Sequence, residues 1–97
     1  MIIKGVTDPR KRFRKAYPLD GENIHVKHFV VRTLTPDNPF GPHKHEQEEL
    51  WYILDGNAIL SLGGKEYSVG PEDLIHLKPW MEHGLTTETN AKWICLG

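Results

Sequence analysis

The sequence predicts an all-β fold, built as a small antiparallel barrel or sandwich. Short runs of β-branched and aromatic residues alternate with turn residues at intervals of roughly eight to twelve positions. A Gly63-Gly64 pair joins two of these runs, as in a tight hairpin. The 97 residues suit one domain spanning 1–97. Since a chain of this size buries only about two-thirds of its unfolded surface, we expect a metal or a partner subunit to add stability.

Charge and cysteine content narrow the classes of function. Lys and Arg number 12 and Asp and Glu 13, a formal net charge of -1, so no overall charge attracts nucleic acid or anionic membranes. The single cysteine, Cys95, excludes an internal disulfide, suits a reducing compartment and is predicted to lie in the core. No apolar stretch approaches the length of a signal core or membrane span. We therefore expect a cytoplasmic protein whose partners are small molecules or protein subunits.

Residues 1–23 are predicted to form an N-terminal extension or edge strand beside a barrel of residues 24–96. The extension carries a run, from Arg10 to Lys15, in which five of six residues are basic. Such a run can bind nucleic acid or another anion, but the neutral total and the single interleaved aromatic favour a solvated face or edge strand. We interpret the run as structural.

The first strand of the barrel is predicted over residues 23–34, where β-branched residues prevail. His25 and His28 would face opposite sides of it, and we interpret both as surface or rim histidines. Residues 35–42 hold three prolines and one glycine in eight positions, which predicts an ordered loop without regular structure.

Residues 46–54 admit two interpretations, an amphipathic helix or a strand, because good helix formers precede strand-favouring residues. The strand-favouring residues are Trp51, Tyr52 and Ile53. Asp55-Gly56 is a hairpin signal, and a helix here would leave the next strand without a neighbour. We therefore predict a strand followed by a hairpin.

Beyond Gly56 the composition is typical of strands separated by turns. The Gly63-Gly64 pair can supply positive φ at both positions of a two-residue hairpin. The predicted strands are residues 57–62, 65–69, 74–77, 84–87 and 91–96.

The strongest functional signal is a pair of histidines, His43 and His45, separated by one residue. Side chains at alternate positions of a strand share one face, about 6.5 Å apart along the backbone, so both imidazoles can reach one metal ion. A helix would point them about 200° apart. The pair therefore predicts half of a metal site on a strand.

Glu49 and His83 are the candidates for the other half. A straight strand from His43 to Glu49 would span about 20 Å, too far for donors that each lie about 2.1 Å from one ion. The chain must therefore turn at residues 46–48, so that Glu49 begins the next strand and faces back with Trp51. His83 would lie at the start of a neighbouring strand.

Three imidazoles and one carboxylate form a donor set of nitrogen and oxygen without sulfur. This set predicts one divalent transition-metal ion (Fe, Mn, Ni, Co, Cu or Zn) and argues against an all-cysteine structural zinc site. Four ligands on an octahedral ion leave two open positions, where substrate and water or dioxygen can bind. The remaining positive charge favours an anionic or enolate-forming ligand.

These residues resemble the cupin family. The second cupin motif is similar to residues 70–83, although Glu72 stands where a glycine is usual and Lys78 where a proline is common. The first motif, a glycine, His-x-His, a glutamate and a later glycine, resembles Gly41, His43, His45, Glu49 and Gly56.

The resemblance covers residues 24–96 and implies a small single-domain cupin of the conserved-barrel type. The implied fold is an antiparallel β-barrel of the double-stranded β-helix or jelly-roll kind, commonly a homodimer, with the metal inside. The implied metal ligands are His43, His45, Glu49 and His83.

The resemblance implies no single reaction, because similar barrels serve many functions. Three histidines and one glutamate are associated with the oxygen-activating members. We therefore expect a metal-dependent dioxygenase or related oxidoreductase acting on a small anionic or enolisable substrate. The alternatives are a non-catalytic small-molecule-binding or sensing protein and a metal-dependent isomerase.

Five further residues are candidates for the pocket, each with a packing or surface role as the alternative. Gln47 and His76 could hydrogen-bond the metal ligands. Trp51, Tyr52 and Trp80 could form pocket walls. Strand alternation puts His76 on the face opposite its two neighbours and leaves open which face is inside.

Overall fold

The computed structural model describes residues 1–21 and 24–97. Ten β-strands account for the regular structure of these ranges, together with one short 3-10 helix, Pro9–Lys11. No helix in the described ranges is long and apolar enough to cross a membrane. The strands are β1 Val6–Asp8, β2 Arg14–Ala16, β3 Phe29–Leu34, β4 Phe40–His43, β5 Glu49–Gly56, β6 Ala58–Leu62, β7 Lys65–Val69, β8 Leu74–Leu77, β9 His83–Thr86 and β10 Ala91–Leu96.

The strands form two antiparallel sheets that face each other. The larger has the order β1-β2-β3-β10-β5-β8, and the smaller has the order β4-β9-β6-β7. Neighbouring strands are mostly not consecutive in the chain, which is the connectivity of a jelly roll. The prediction of an all-β jelly roll is confirmed, although no strand pair joins the two sheets in the described part of the chain, so the barrel is open.

The core lies between the sheets and follows the two-residue alternation of the strands. On β5, Trp51 and Ile53 are fully buried, and on β10, Trp93 and Cys95 face the same interior. A strand that begins at Glu49 and a buried Cys95 are both as predicted, although β5 continues through Asp55 and Gly56. The helical interpretation of residues 46–54 is excluded, because a helix could not pair with both β10 and β8.

The predicted hairpin at Asp55-Gly56 is wrong. β5 pairs with β10 and β8, whereas β6 pairs with β7 and β9, so the chain crosses from one sheet to the other at Gly56. Gly56 has φ 78°, and a Cβ there would overlap the carbonyl oxygen of Asn90. Only glycine therefore fits the sharp bend by which the chain passes between the sheets. By contrast, the Gly63-Gly64 hairpin is confirmed, with φ 55° and 87°.

The loop predicted over residues 35–42 is shorter than expected, because β4 begins at Phe40. β4 tolerates Pro42 since it is an edge strand whose pairing with β9 is irregular between Phe40 and His43. The first barrel strand begins at Phe29. Of the earlier residues predicted in that strand, 24–28 are not in a strand, and Asn23 lies outside the described residues.

The N-terminal segment is part of the larger sheet. β1 and β2 form a hairpin, and β2 pairs with β3 at Lys15 and Ala16. The basic run occupies the 3-10 helix, the tip of this hairpin and the start of β2. Arg12 and Phe13 form the tip with φ 56° and 58°. The hairpin therefore adds β1 and β2 to the edge of the sheet.

Candidate metal centre

Three histidines from two strands and one loop meet at one end of the sandwich. His43 ends β4, His83 begins β9, and the two are opposite each other in the β4–β9 ladder. His45 lies just beyond β4, where its carbonyl oxygen accepts a hydrogen bond from the amide of Trp80 at 2.8 Å. One ring nitrogen from each histidine lies within 4.8 Å of the other two. These three residues, called here the histidine cluster, could hold a metal ion.

The hydrogen bonding of His83 fits a metal ligand. Its side chain is 1% exposed, and its Nδ1 lies 2.8 Å from the carbonyl oxygen of Met81. A carbonyl accepts only, so Nδ1 carries the proton and Nε2 carries the lone pair. Nε2 is buried and has no hydrogen-bond partner among the described residues. An unsatisfied buried nitrogen costs about 1–3 kcal/mol, a penalty that a bound metal would remove.

The environment of His43 favours its neutral form. Partial burial, followed by the charges of His83 and His45, holds the pKa of His43 below its ordinary value of 6.5. Only a neutral imidazole can donate its lone pair to a metal. The donor set of three neutral imidazoles suits a divalent transition metal, so the residues present fit such an ion.

Glu49 lies beside the histidine cluster and is not a member of it. The bend at residues 46–47 turns the chain so that Glu49 begins β5, as predicted. Its Oε1 lies 3.7 Å from Nε2 of His45 and accepts a hydrogen bond from Nε1 of Trp51 at 3.1 Å. Its Oε2 lies 3.1 Å from Nε2 of His28. The carboxylate is therefore held by two side chains next to the cluster.

His28 is a site residue that the sequence interpretation missed. It was interpreted as a surface or rim histidine, but it contacts Glu49 and also approaches Nε2 of Gln47 through its Nδ1, at 3.2 Å. Gln47 therefore reaches the site indirectly, through His28. His28 precedes β3, so the strand alternation that was used to predict its direction does not apply to it.

Of the predicted pocket walls, only Trp51 contacts the histidine cluster through its side chain, with its ring 5.3 Å from that of His83. His76 and Tyr52 lie on the outer face of the larger sheet, because their strand neighbours are the inward residues. His76 Nε2 pairs there with Glu48 Oε2 at 2.6 Å. The side chain of Trp80 is 61% exposed. The structure thus places His76 and Tyr52 away from the pocket, whereas Trp80 is exposed and touches the site through its backbone amide, which donates to the carbonyl oxygen of His45.

Arg32 is the second residue that was missed. It points into the sandwich between Val30 and Leu34 on β3, and its Cζ lies 4.8 Å from the ring centroid of Phe40. The Phe40 ring lies in turn 4.8 Å from that of His43. The alternation of Val30, Arg32 and Leu34 was a signal in the sequence that could have identified an inward arginine.

Comparisons with known proteins agree with this architecture. A predicted oxalate decarboxylase from Thermotoga maritima superimposes with a TM-score of 0.73 at 20% identity, over 97% of this chain and 90% of that one. An RmlC-like cupin from Shewanella frigidimarina gives 0.76 at 17% identity, over 98% and 80%. A cupin 2 conserved barrel domain protein from Salinispora arenicola gives 0.74 at 18% identity, over 96% and 79%. At such identities these likenesses show the fold.

Sequence comparison assigns the family. No curated protein matches the chain. The family model described as the cupin domain matches residues 30–97, a range that contains all three members of the histidine cluster. Because this match spans more than half of the chain, the protein belongs to the cupin family.

Proposed function

We propose that this cupin binds one divalent transition-metal ion and acts as an oxidoreductase of the dioxygenase class on a small anionic or enolisable substrate. His43, His45 and His83 would hold the ion, with Glu49 as the fourth ligand. The observation that carries the proposal is the convergence of three imidazole nitrogens within 4.8 Å, one of them the buried and unpaired Nε2 of His83. When bound, such an ion would supply open positions for substrate and dioxygen.

The surroundings of the cluster support a substrate with negative charge. Burial is the main cause of the lowered pKa of His43, and the positive charge of Arg32 adds a smaller contribution in the same direction, so the field of Arg32 reaches His43. His43 is the exposed member of the cluster and His83 the buried one, which gives the site one open side. A ligand can therefore approach from the side of His43 while β9 closes the other.

The paired side chains of Glu49 and His28 could handle protons. Their atoms lie 3.1 Å apart, within reach of hydrogen bonding, and both side chains are partly buried. A carboxylate and an imidazole in contact can share a proton that a bound substrate gives up. His28 would then accept or return the proton while Glu49 orients its ring.

The proposal is tested by oxygen uptake. The full chain would be loaded separately with Fe, Mn, Ni, Co, Cu and Zn and screened with enediol, diketone and catechol-like compounds. We expect uptake with at least one redox-active metal, its loss in His83→Ala, and unchanged uptake in His25→Ala, which alters an exposed histidine. A chain that binds metal through the cluster and consumes no oxygen with any of these compounds would contradict the oxidoreductase assignment.

One observation favours a second candidate, a non-catalytic binding or sensing protein. Within the described residues, Glu49 and His28 are engaged with each other, so neither side chain stands beside the cluster as a free acid or base. A binding protein needs only the ion and a complementary pocket. Saturable binding of the same compounds without oxygen uptake or isomerisation would select this candidate.

A further inference from the structure

A second site of strong charge lies between the β1–β2 hairpin, β3 and β4. This arginine cleft has a cavity volume of about 30 Å³, and its basic side chains stand against aromatic walls formed by Phe40 and Trp93. A cleft of this size is smaller than typical sites for whole organic ligands, at roughly 300–1,000 Å³, so it suits an ion or a single functional group. The basic residues are Lys11, Arg12, Arg14 and Arg32.

The charges in the cleft are not balanced by carboxylates. No Asp or Glu is among its described lining residues, and none in the described part of the chain lies within 4.0 Å of the basic nitrogens of the four cleft residues. Arg10, next to the cleft, differs because its Nε lies 3.4 Å from Asp8 Oδ1. Clustered like charges with apolar walls concentrate a positive potential that attracts anions.

Arg32 gives the cleft a fixed donor at its inner end. The guanidinium packs over Phe40 at 4.8 Å, and its Nε is buried without a hydrogen-bond partner among the described residues. Buried polar nitrogens in native proteins are nearly always paired, so the Nε of Arg32 lacks an acceptor. Because packing already restricts its rotamers, little side-chain entropy would be lost when an anion binds.

The hairpin is held over the cleft by a specific contact. Arg12 is in the left-handed conformation, and its Nη1 donates to the carbonyl oxygen of Pro39 at 3.3 Å. This contact ties the hairpin tip to the residue that precedes Phe40. The basic side chains of the hairpin and the inward Arg32 therefore share one cleft, although they come from distant parts of the sequence.

We propose that the arginine cleft binds a small oxyanion, either inorganic or the phosphate or carboxylate group of a larger ligand. Arginine forks match both groups through paired N–H donors. The Phe40 ring contacts both Arg32 and His43, and no member of the histidine cluster lines the cleft, so the proposed anion site does not depend on the proposed oxidoreductase function. Arg32 would contact the oxyanion from the interior, with Lys11 and Arg14 completing the shell.

The test measures anion binding to the full chain at constant ionic strength, in a buffer free of phosphate. Inorganic phosphate and acetate would be titrated separately while amide and arginine side-chain NMR signals are followed. We expect saturable binding of one of them, with the largest shifts at Arg32 and the hairpin. Preference for phosphate would assign a phosphorylated ligand, and preference for acetate a carboxylate. Absence of saturable binding of both would overturn the proposal.

Matched variants distinguish specific binding in the arginine cleft from nonspecific attraction of anions by positive surface charge. Arg32→Gln should weaken binding at least about tenfold, as expected for loss of a charged hydrogen bond. Lys65→Gln removes one charge from an exposed position of β7, outside the cleft, and should bind as the unmodified chain does. Lys11→Gln, at an exposed position, should weaken binding even if Arg32→Gln fails to fold. Equal affinity of Lys11→Gln and Lys65→Gln would contradict a specific cleft.

Discussion

His43 and His83 are direct partners in the β4–β9 ladder, with their rings perpendicular and their centroids 4.6 Å apart. The two residues are distant in sequence, so this part of the cluster exists only when β4 has paired with β9. β4 is an edge strand with irregular pairing, the kind of strand that is weakly held by its neighbours. A ligand that bridges His43 and His83 would therefore stabilise the fold as well as fill the site.

The first prediction is that a divalent transition metal raises the melting temperature of the metal-free chain. At a free concentration of 100 times Kd the gain is about 2.7 kcal/mol, which for a domain of this size corresponds to roughly 10 °C or more. Thermal denaturation followed by circular dichroism measures it. His83→Ala should abolish the shift, whereas His25→Ala, at an exposed position, should keep it. Equal shifts in the two variants would show that the metal binds elsewhere.

The second prediction concerns Glu49. If its carboxylate completes the metal site or orients His45, Glu49→Ala should weaken metal affinity about 10–100-fold. Competition with a chromophoric chelator gives the affinity. Glu48→Ala is the matched control, because Glu48 is the adjacent acidic residue, is exposed and pairs with His76 on the outer face. Unchanged affinity in Glu49→Ala would reduce the site to three histidines.

Much of the site could be predicted because it obeys local rules. His43 and His45 share a face by strand alternation, and the distance between ligands required a bend before Glu49. The structure has that bend and starts β5 at Glu49. What local rules could not supply is the choice of partner for the Glu49 carboxylate. Its contacts to His28 and Trp51 depend on how separate segments pack.

Strand neighbours were the least predictable part of the fold. Asp55-Gly56 has the composition of a hairpin turn, and the same residues serve equally well at a corner between two sheets. Which of the two forms depends on β10, a strand near the C-terminus of the sequence: it pairs with β5 and thereby separates β5 from β6. By contrast, the two strands that Gly63-Gly64 joins, β6 and β7, pair directly with each other, so the local signal was sufficient.

The third prediction tests the corner at Gly56. Gly56→Ala should destabilise the domain by more than about 3 kcal/mol, because the methyl group adds an overlap with Asn90 to the cost of a positive φ. Gly63→Ala is the control, since Gly63 also has positive φ but a Cβ there meets no atom within 4 Å. Its cost should be only about 1–2 kcal/mol. Urea denaturation distinguishes them, and equal costs would refute a steric role for the corner.

The fourth prediction concerns the reactivity of Cys95. Burial raises the pKa of its thiol from 9.0 to about 12, even though the nearby charge of Arg32 acts in the opposite direction. Only the thiolate is an effective nucleophile. In the native protein at pH 8 we therefore expect no reaction with a thiol reagent on the timescale at which the unfolded chain reacts fully. Rapid labelling of the native chain would show that the core opens at this position.

The same shift predicts how stability responds to alkaline pH. The unfolded thiol releases its proton above about pH 9, whereas the folded thiol keeps it up to about pH 12. The unfolded state therefore binds fewer protons in this window, and stability falls as pH rises through it. Urea unfolding between pH 8 and pH 10 should show a decline that Cys95→Ala reduces, once its uniform loss of packing is subtracted. Parallel pH profiles for the two proteins would contradict a raised thiol pKa in the folded state.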